Sequence, residues 1–187
     1  SVLQYKDQER ARHYLTLAKD TLKKAVAMSP TNQNGYLSLA QTYIFEKDFK
    51  KAEELLKHAI DLEPRYADSH WNLGEAYMIA ENFEKSAKEY DTALALGYNP
   101  SSDIRKLANL GHSYSEAREY EKAVFWYKKV VEVRPNNPES HWTLATFYKA
   151  LGEYEKAKEE AMIVKSLDAQ YAGTVEDFLK HLTKSYH

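Results

Sequence analysis

Apolar and polar positions alternate through this chain with a helical period, and the pattern itself recurs. Tyr36, Leu39, Ala40 and Tyr43 stand at i, i+3, i+4 and i+7, the stripe of one helix face. After the turn residues Glu46, Lys47 and Asp48, a second stripe carries Phe49, Ala52, Leu55, Leu56, Ala59, Ile60 and Leu62, and Pro64 ends it. The pair predicts a helical hairpin. The same order returns in His70, Leu73, Gly74 and Tyr77 followed by Phe83, Ser86, Tyr90 and Ala93. It returns again in Leu107, Leu110, Gly111 and Tyr114 followed by Tyr120, Ala123, Tyr127, Val130 and Pro135. A fourth copy runs through His141, Leu144, Ala145, Tyr148, Tyr154, Ala157, Ala161 and Val164. Phe49, Phe83, Tyr120 and Tyr154 fall 34, 37 and 34 residues apart. A helical repeat of that length predicts a solenoid, in which each unit buries its apolar face by stacking on its neighbours.

Small residues at one offset, Ala40, Gly74, Gly111 and Ala145, let paired helices approach closely. The step of 37 arises in the turn-rich stretch from Gly97 to Asp103, read as a longer loop between repeats. At the N-terminal end, Leu15, Ala18, Leu22, Ala25 and Val26, closed by Pro30, form the stripe of a second helix. Lys6 and Glu9 take the offsets of a small residue and a Tyr in the helix before it, so one long helix and a truncated hairpin both remain open. At the other end, Thr174 and Asp177 form a capping box before Val175, Phe178, Leu179 and Leu182, with Lys180 and Lys184 on the opposite side. That helix is expected to cover the last apolar face.

These offsets of aromatic, Leu, Gly/Ala, Tyr, Ala, aromatic and Pro resemble the tetratricopeptide repeat from Gln33 to about Tyr171. Departures are Ser86 for Ala, Tyr98 and Ala169 for Pro, and Ala161 for an aromatic residue. The resemblance implies an all-α, right-handed superhelical α-solenoid forming one domain. Its expected parts are an N-terminal helix or partial repeat (1–32), repeats at 33–66, 67–103, 104–137 and 138–171, and a capping helix (172–187). It also implies that the first helix of each hairpin lines a concave groove that holds a peptide or a partner's helix. Carried onto this sequence, the groove residues are Leu37 and Gln41; Trp71, Asn72 and Glu75; Arg105, Asn109 and His112; and Trp142 and Thr146. Asn34, Ser38, Asp68, Ala108, Glu139 and Thr143 lie between them.

Trp71 and Trp142 each follow a packing histidine, and one residue of helix turns about 100°, so both rings are expected to face the groove at least in part. The competing reading is that each fills a gap against a neighbouring repeat. Asn72 and Asn109 recur at one offset, where an amide offers donor and acceptor to a peptide backbone. Some members of the family bind a C-terminal carboxylate through Lys, Asn, Asn, Lys and Arg. Here Leu37, Gln41, Asn72, Arg105 and Asn109 stand in that register, and two matches in five argue against a carboxylate clamp.

A net charge of -2 gives no global attraction to phosphate backbones, so nucleic acid is not an expected partner. With no cysteine, thiolate chemistry and disulfides are excluded, which leaves cytoplasm and periplasm both open. The seven histidines, from His13 to His187, show no HxxxH or HExxH spacing, and the paired carboxylates lie among lysines at helical spacing. No metal, cofactor or catalytic constellation is therefore expected, and the chain is read as a non-enzyme. No apolar run reaches the roughly 20 residues that span a bilayer. Because Ser1 is not an initiator Met, the expectation is a processed protein or a piece of a larger one. The string His70, Trp71, Leu73, Gly74, Ala76 and Tyr77, with the loop Leu96 to Asn99, looks like repeats appended to bacterial membrane polysaccharide polymerases or ligases. That resemblance implies the alternative role, a non-catalytic assembly or regulatory region attached to a membrane protein. Self-association through an incomplete terminal repeat is a further expectation.

Overall fold

Turn chemistry decides where each helix stops. In the computed structural model, which describes residues 2–183 and the side chains of 9–182, each hairpin turn places one residue in the left-handed region. These residues are Lys47, Glu81, Arg118 and Gly152, with φ of 61°, 59°, 62° and 76°. The next N–H then reaches back to the carbonyl of the last-turn tyrosine: Asp48 to Tyr43, Asn82 to Tyr77, Glu119 to Tyr114 and Glu153 to Tyr148, at 2.8–2.9 Å. This bond closes the helix end and reverses the chain. Lys184 and His187 lie outside the described residues.

The chain divides into two compact units between Tyr98 and Asn99. In the first, α1 (Val2–Met28) packs on α2 (Gln33–Phe45), which pairs with α3 (Phe49–Leu62), and α3 packs on α4 (Ala67–Ile79), which pairs with α5 (Phe83–Ala95). α1 is one continuous helix. The core gathers Tyr36, Leu39, Ala40, Leu56, Ala59, Leu73 and Tyr77, with Leu22 and Val26 of α1 against its edge. A Cβ on Gly74 would lie 2.8 Å from the ring of Tyr90, so the buried tyrosine occupies the space that any side chain there would need. Ser86, in place of the usual alanine, donates its buried hydroxyl to the carbonyl of Gly74 at 2.8 Å.

The second unit pairs α6 (Ile104–Glu116) with α7 (Tyr120–Val133) and α8 (Pro138–Ala150) with α9 (Tyr154–Leu167). A short 3-10 turn (Ala169–Tyr171) leads into α10 (Ala172–Thr183), which packs on α9. Val175, Phe178 and Leu182 of α10 are buried against Leu144, Ala161 and Val164. The capping box expected at Thr174 is not how this helix begins. Thr174 is already inside α10, and Asp168 caps the preceding turn by accepting the N–H of Gln170 at 2.9 Å. Gly111 repeats the close approach of Gly74, with its Cβ position 2.6 Å from Tyr127.

The residues facing one another across each hairpin are matched in size. Gly74 and Gly111 face Tyr90 and Tyr127, whereas Ala40 and Ala145 stand opposite Leu56 and Ala161 in the same register. A lysine of each second helix also lies over the last-turn tyrosine of its partner. Lys51–Tyr43, Lys85–Tyr77, Lys122–Tyr114 and Lys156–Tyr148 are 5.4, 5.1, 5.0 and 5.5 Å from ring centroid to Nζ, within cation–π range.

Candidate functional site

The first helices carry the sequence-predicted contacts, and the two units present them differently. In unit 1, α2 and α4 spend much of their polar surface on each other. Gln41 donates its amide to Asn72 Oδ1 at 2.6 Å, and Asn72 donates to the carbonyl of Asp68 at 2.7 Å. An amide has two hydrogens to give and two lone pairs to accept with, and these bonds use one of each from Asn72. Asn34 accepts the hydroxyl of Tyr66 at 3.1 Å, and burial raises that hydroxyl's pKa. Glu75 is half-buried beside this row.

Two predicted contacts of unit 1 are corrected by the structure. Trp71 is 2% exposed. The 100° step does not free its ring: it meets Tyr90 of its own hairpin, and Tyr98, standing where the usual proline closes a repeat, stacks on it. The ring centroids are 4.2 Å apart at 12°, and Tyr90 packs on Trp71 at 4.5 Å. Leu37 is 8% exposed and belongs to the core of α2, α3 and α4, because its turn of α2 faces its neighbours rather than solvent.

In unit 2 the offsets of Asn34, Ser38 and Gln41 carry Arg105, Asn109 and His112. Arg105, Asn109 and His112 lie along one stripe of α6, with Arg105 and His112 exposed and Asn109 half-buried. Glu139 is exposed on α8, while Trp142, Thr143 and Thr146 are half-buried. The threonine hydroxyls donate back to the carbonyls of Glu139 and Thr143, at 2.9 and 2.7 Å, which leaves their oxygens able to accept. Trp142 leans on Phe178 of α10 at 5.0 Å and on Tyr171 at 6.5 Å, both at tilted angles that leave the ring partly open.

Beside this row is a cleft of about 240 Å³, lined by Ile104, Arg105, Ala108, Tyr127, Val130, Arg134, Asn137, Glu139 and Ser140. Two arginines and one glutamate line it. The backbone N–H of Arg105 caps onto Asp103 at 2.9 Å and holds that carboxyl below the ordinary aspartate range. The guanidinium stands 3.6 Å from the same carboxylate and is largely exposed. Arg134, Tyr127 and Asn137 were not among the predicted contacts. A signal for Arg134 did exist: in the register 71 residues earlier, Glu63 stands for Arg134 and Asn34 for Arg105, so this corner changes charge between otherwise parallel hairpins.

The histidines before the tryptophans act as internal clips. His70 donates Nε2–H to the carbonyl of Pro64 at 3.1 Å, and its Nδ1 lies 2.8 Å from the Glu89 carboxylate. His141 makes the same pair with Pro135 and Glu160, at 2.8 and 2.6 Å. Among the described residues, no group of three or more His, Asp or Glu side chains is placed to hold a metal ion, and no helix is long and apolar enough to cross a membrane.

Comparison with known proteins agrees with this hairpin grammar. Residues 11–60 and 46–110 match the family described as tetratricopeptide repeat, residues 111–152 match TPR repeat, and residues 138–171 match tetratricopeptide repeat again. The chain belongs to the tetratricopeptide repeat family. A relative, the heat-shock protein cognate (HSC) co-chaperone sgt12 of Aspergillus fumigatus, is 32% identical over 73 residues. That stretch covers 39% of this chain and 21% of that protein, so the chain spans about a fifth of the curated relative it matches. Among solved structures, MamA superposes with a TM-score of 0.67 at 22% identity, over 89% of this chain and 90% of that one. YrrB, described as a TPR protein with an unusual peptide-binding site, superposes with a TM-score of 0.72 at 17% identity, over 88% and 86%. At such identities the likeness is one of fold, that of an all-α tetratricopeptide solenoid.

Proposed function

We propose that this tetratricopeptide chain is a non-catalytic protein-interaction scaffold that holds an extended peptide against α6 and α8, with an anionic group of the peptide seated beside Arg105 and Arg134. The observation that carries this reading is the contrast between the rows. Arg105, Asn109 and His112 stand next to a cleft lined by Arg105 and Arg134, whereas in unit 1 Gln41 and Asn72, at the offsets of His112 and Asn109, are bonded to each other, and Leu37 and Trp71, at the offset of Ala108 and Trp142, are buried. An extended strand needs alternating donors and acceptors, which Asn109 and the oxygens of Thr143 and Thr146 offer. A carboxylate gains most from a planar guanidinium. The half-buried Trp142 supplies an apolar seat in the same unit, the kind of anchor that dominates peptide interfaces. The co-chaperone description of the fungal relative and the peptide-binding site named for YrrB support a protein-binding role.

The test is selection from a displayed random peptide library on the full chain, followed by calorimetry of the enriched peptide. Arg105→Glu and Asn109→Ala should each weaken it by about tenfold or more, equivalent to at least about 1.4 kcal/mol, whereas Gln41→Ala should change it by less than about threefold. Enrichment of no peptide, or affinity that tracks Gln41 instead, would remove this assignment.

A further inference from the structure

α1 has the register of a hairpin's second helix but not its surroundings. In α3, α5, α7 and α9, the residues in the register of Ala18 and Ala25 are buried beneath the first helix of the same hairpin: Ala52 and Ala59, Ser86 and Ala93, Ala123 and Val130, Ala157 and Val164. In α1 both alanines are exposed. Two further positions reverse polarity. Where Leu17 stands, the other four second helices all carry lysine (Lys51, Lys85, Lys122 and Lys156). Where Tyr14 stands, they carry Asp48, Asn82, Glu119 and Glu153. Leu17 is 56% and Tyr14 67% exposed. Ala11, Ala18 and Ala25 repeat every seven residues with Tyr14 and Thr21 between them, a seam of coiled-coil spacing. The neighbouring face, through Lys19, Leu22 and Val26, already sits on α2.

The equivalent face elsewhere in the chain is covered by the first helix of the same hairpin, and residues 2–13 do not form such a helix here. α1 runs straight through the positions of the hairpin turn, and the register puts Lys6 and Glu9 where α2 has Ala40 and Tyr43. We propose that the cover is α1 of a second copy, packed antiparallel about a twofold axis near Thr16. The seam is self-complementary under that operation. Tyr14 of each copy falls over Ala18 of the other, Ala11 falls over Thr21, and the small residues let the helices approach closely. The solenoid therefore forms a homodimer through its N-terminal helix, an element that carries none of the row on α6 and α8.

Sedimentation velocity on the full chain over a wide concentration range tests this, with helicity checked by circular dichroism. The wild type should double in mass as concentration rises, and Ala18→Glu should weaken the dimer by at least about tenfold. A second variant, Tyr14→Asp with Leu17→Lys, restores residues that the other four second helices carry in stable hairpins, and it decides the matter if Ala18→Glu loses helicity. Because the chain has no cysteine, Leu17→Cys reports the geometry cleanly: it should oxidise to an interchain disulfide. Ala25→Cys should not, since antiparallel packing separates that pair by ~27 Å. A wild type that stays monomeric throughout, a dimer that both seam variants leave intact, or equal cross-linking at both cysteines, the mark of a parallel pair, would overturn the proposal.

Discussion

The two units repeat one another 71 residues apart, with the string Ser-His-Trp-x-Leu at Ser69 to Leu73 and again at Ser140 to Leu144, yet their tryptophans end in different places. Trp71 is stacked beneath Tyr98, whereas Trp142 leans on Phe178 and stays partly open. The local sequence is the same and the histidine clips are the same, so neither explains the difference. The aromatic neighbours of the ring do. Tyr98 becomes Ala169 and Tyr90 becomes Ala161 in the second unit, and Phe178 of α10 with Tyr171 meets the ring instead. A repeat's accessible chemistry is thus set by the element that packs on its open side.

The sharpest way to break the comparison is at the tryptophans. Trp71→Ala should cost about 3–5 kcal/mol and Trp142→Ala clearly less, measured as shifts in urea midpoint, because only the first leaves a fully enclosed cavity. Tyr98→Pro should shift Trp71 emission to the red while leaving helicity in place.

Next is the size match across the hairpin. Gly74→Ala should lose about 1–3 kcal/mol from overpacking against Tyr90, outweighing the roughly 1 kcal/mol that alanine adds to helix propensity. The same change with Tyr90→Leu should recover most of the loss, since the Ala40 and Leu56 pair already uses that solution.

A smaller difference is electrostatic. Glu53 receives a hydrogen bond from Lys57 and one from the hydroxyl of Tyr77 at 2.8 Å, and these hold its carboxyl below the ordinary glutamate value. A group lowered in the folded state contributes stability above its unfolded pKa and loses it as pH falls through the folded one. Val124 stands in that register in unit 2. Acid titration of stability should therefore flatten in Glu53→Gln, by no more than about 1 kcal/mol for so solvated a pair, and change little in Val124→Ala beyond its packing cost.

The least effect is expected at the turns. Arg118→Gly should be neutral to stabilising by a few tenths of a kcal/mol, because left-handed strain and glycine's chain entropy nearly cancel, whereas Gly152→Ala should cost up to about 1 kcal/mol in thermal unfolding.

Much of this was legible in the sequence. The stripes and the small residue of each hairpin arise from contacts within about one repeat, and the row Arg105, Asn109 and His112 could be read from helical register. The accessibility of that row could not, nor could the burial of Leu37 and Trp71. The arginine corner was not legible as part of the groove because Arg134 closes a second helix, α7, whereas the resemblance places the groove on first helices.

By itself the sequence determined the alternation of helix and turn and the pairing of glycine with tyrosine, since these depend on periodicity and on residues 16 positions apart on facing helices. Only the tertiary structure decided which tryptophan is closed, which polar row is bonded to itself, and that α1 runs through its turn with an uncovered seam. Those outcomes depend on volume and hydrogen-bond competition among side chains that are brought together from different repeats, where no local period records the result.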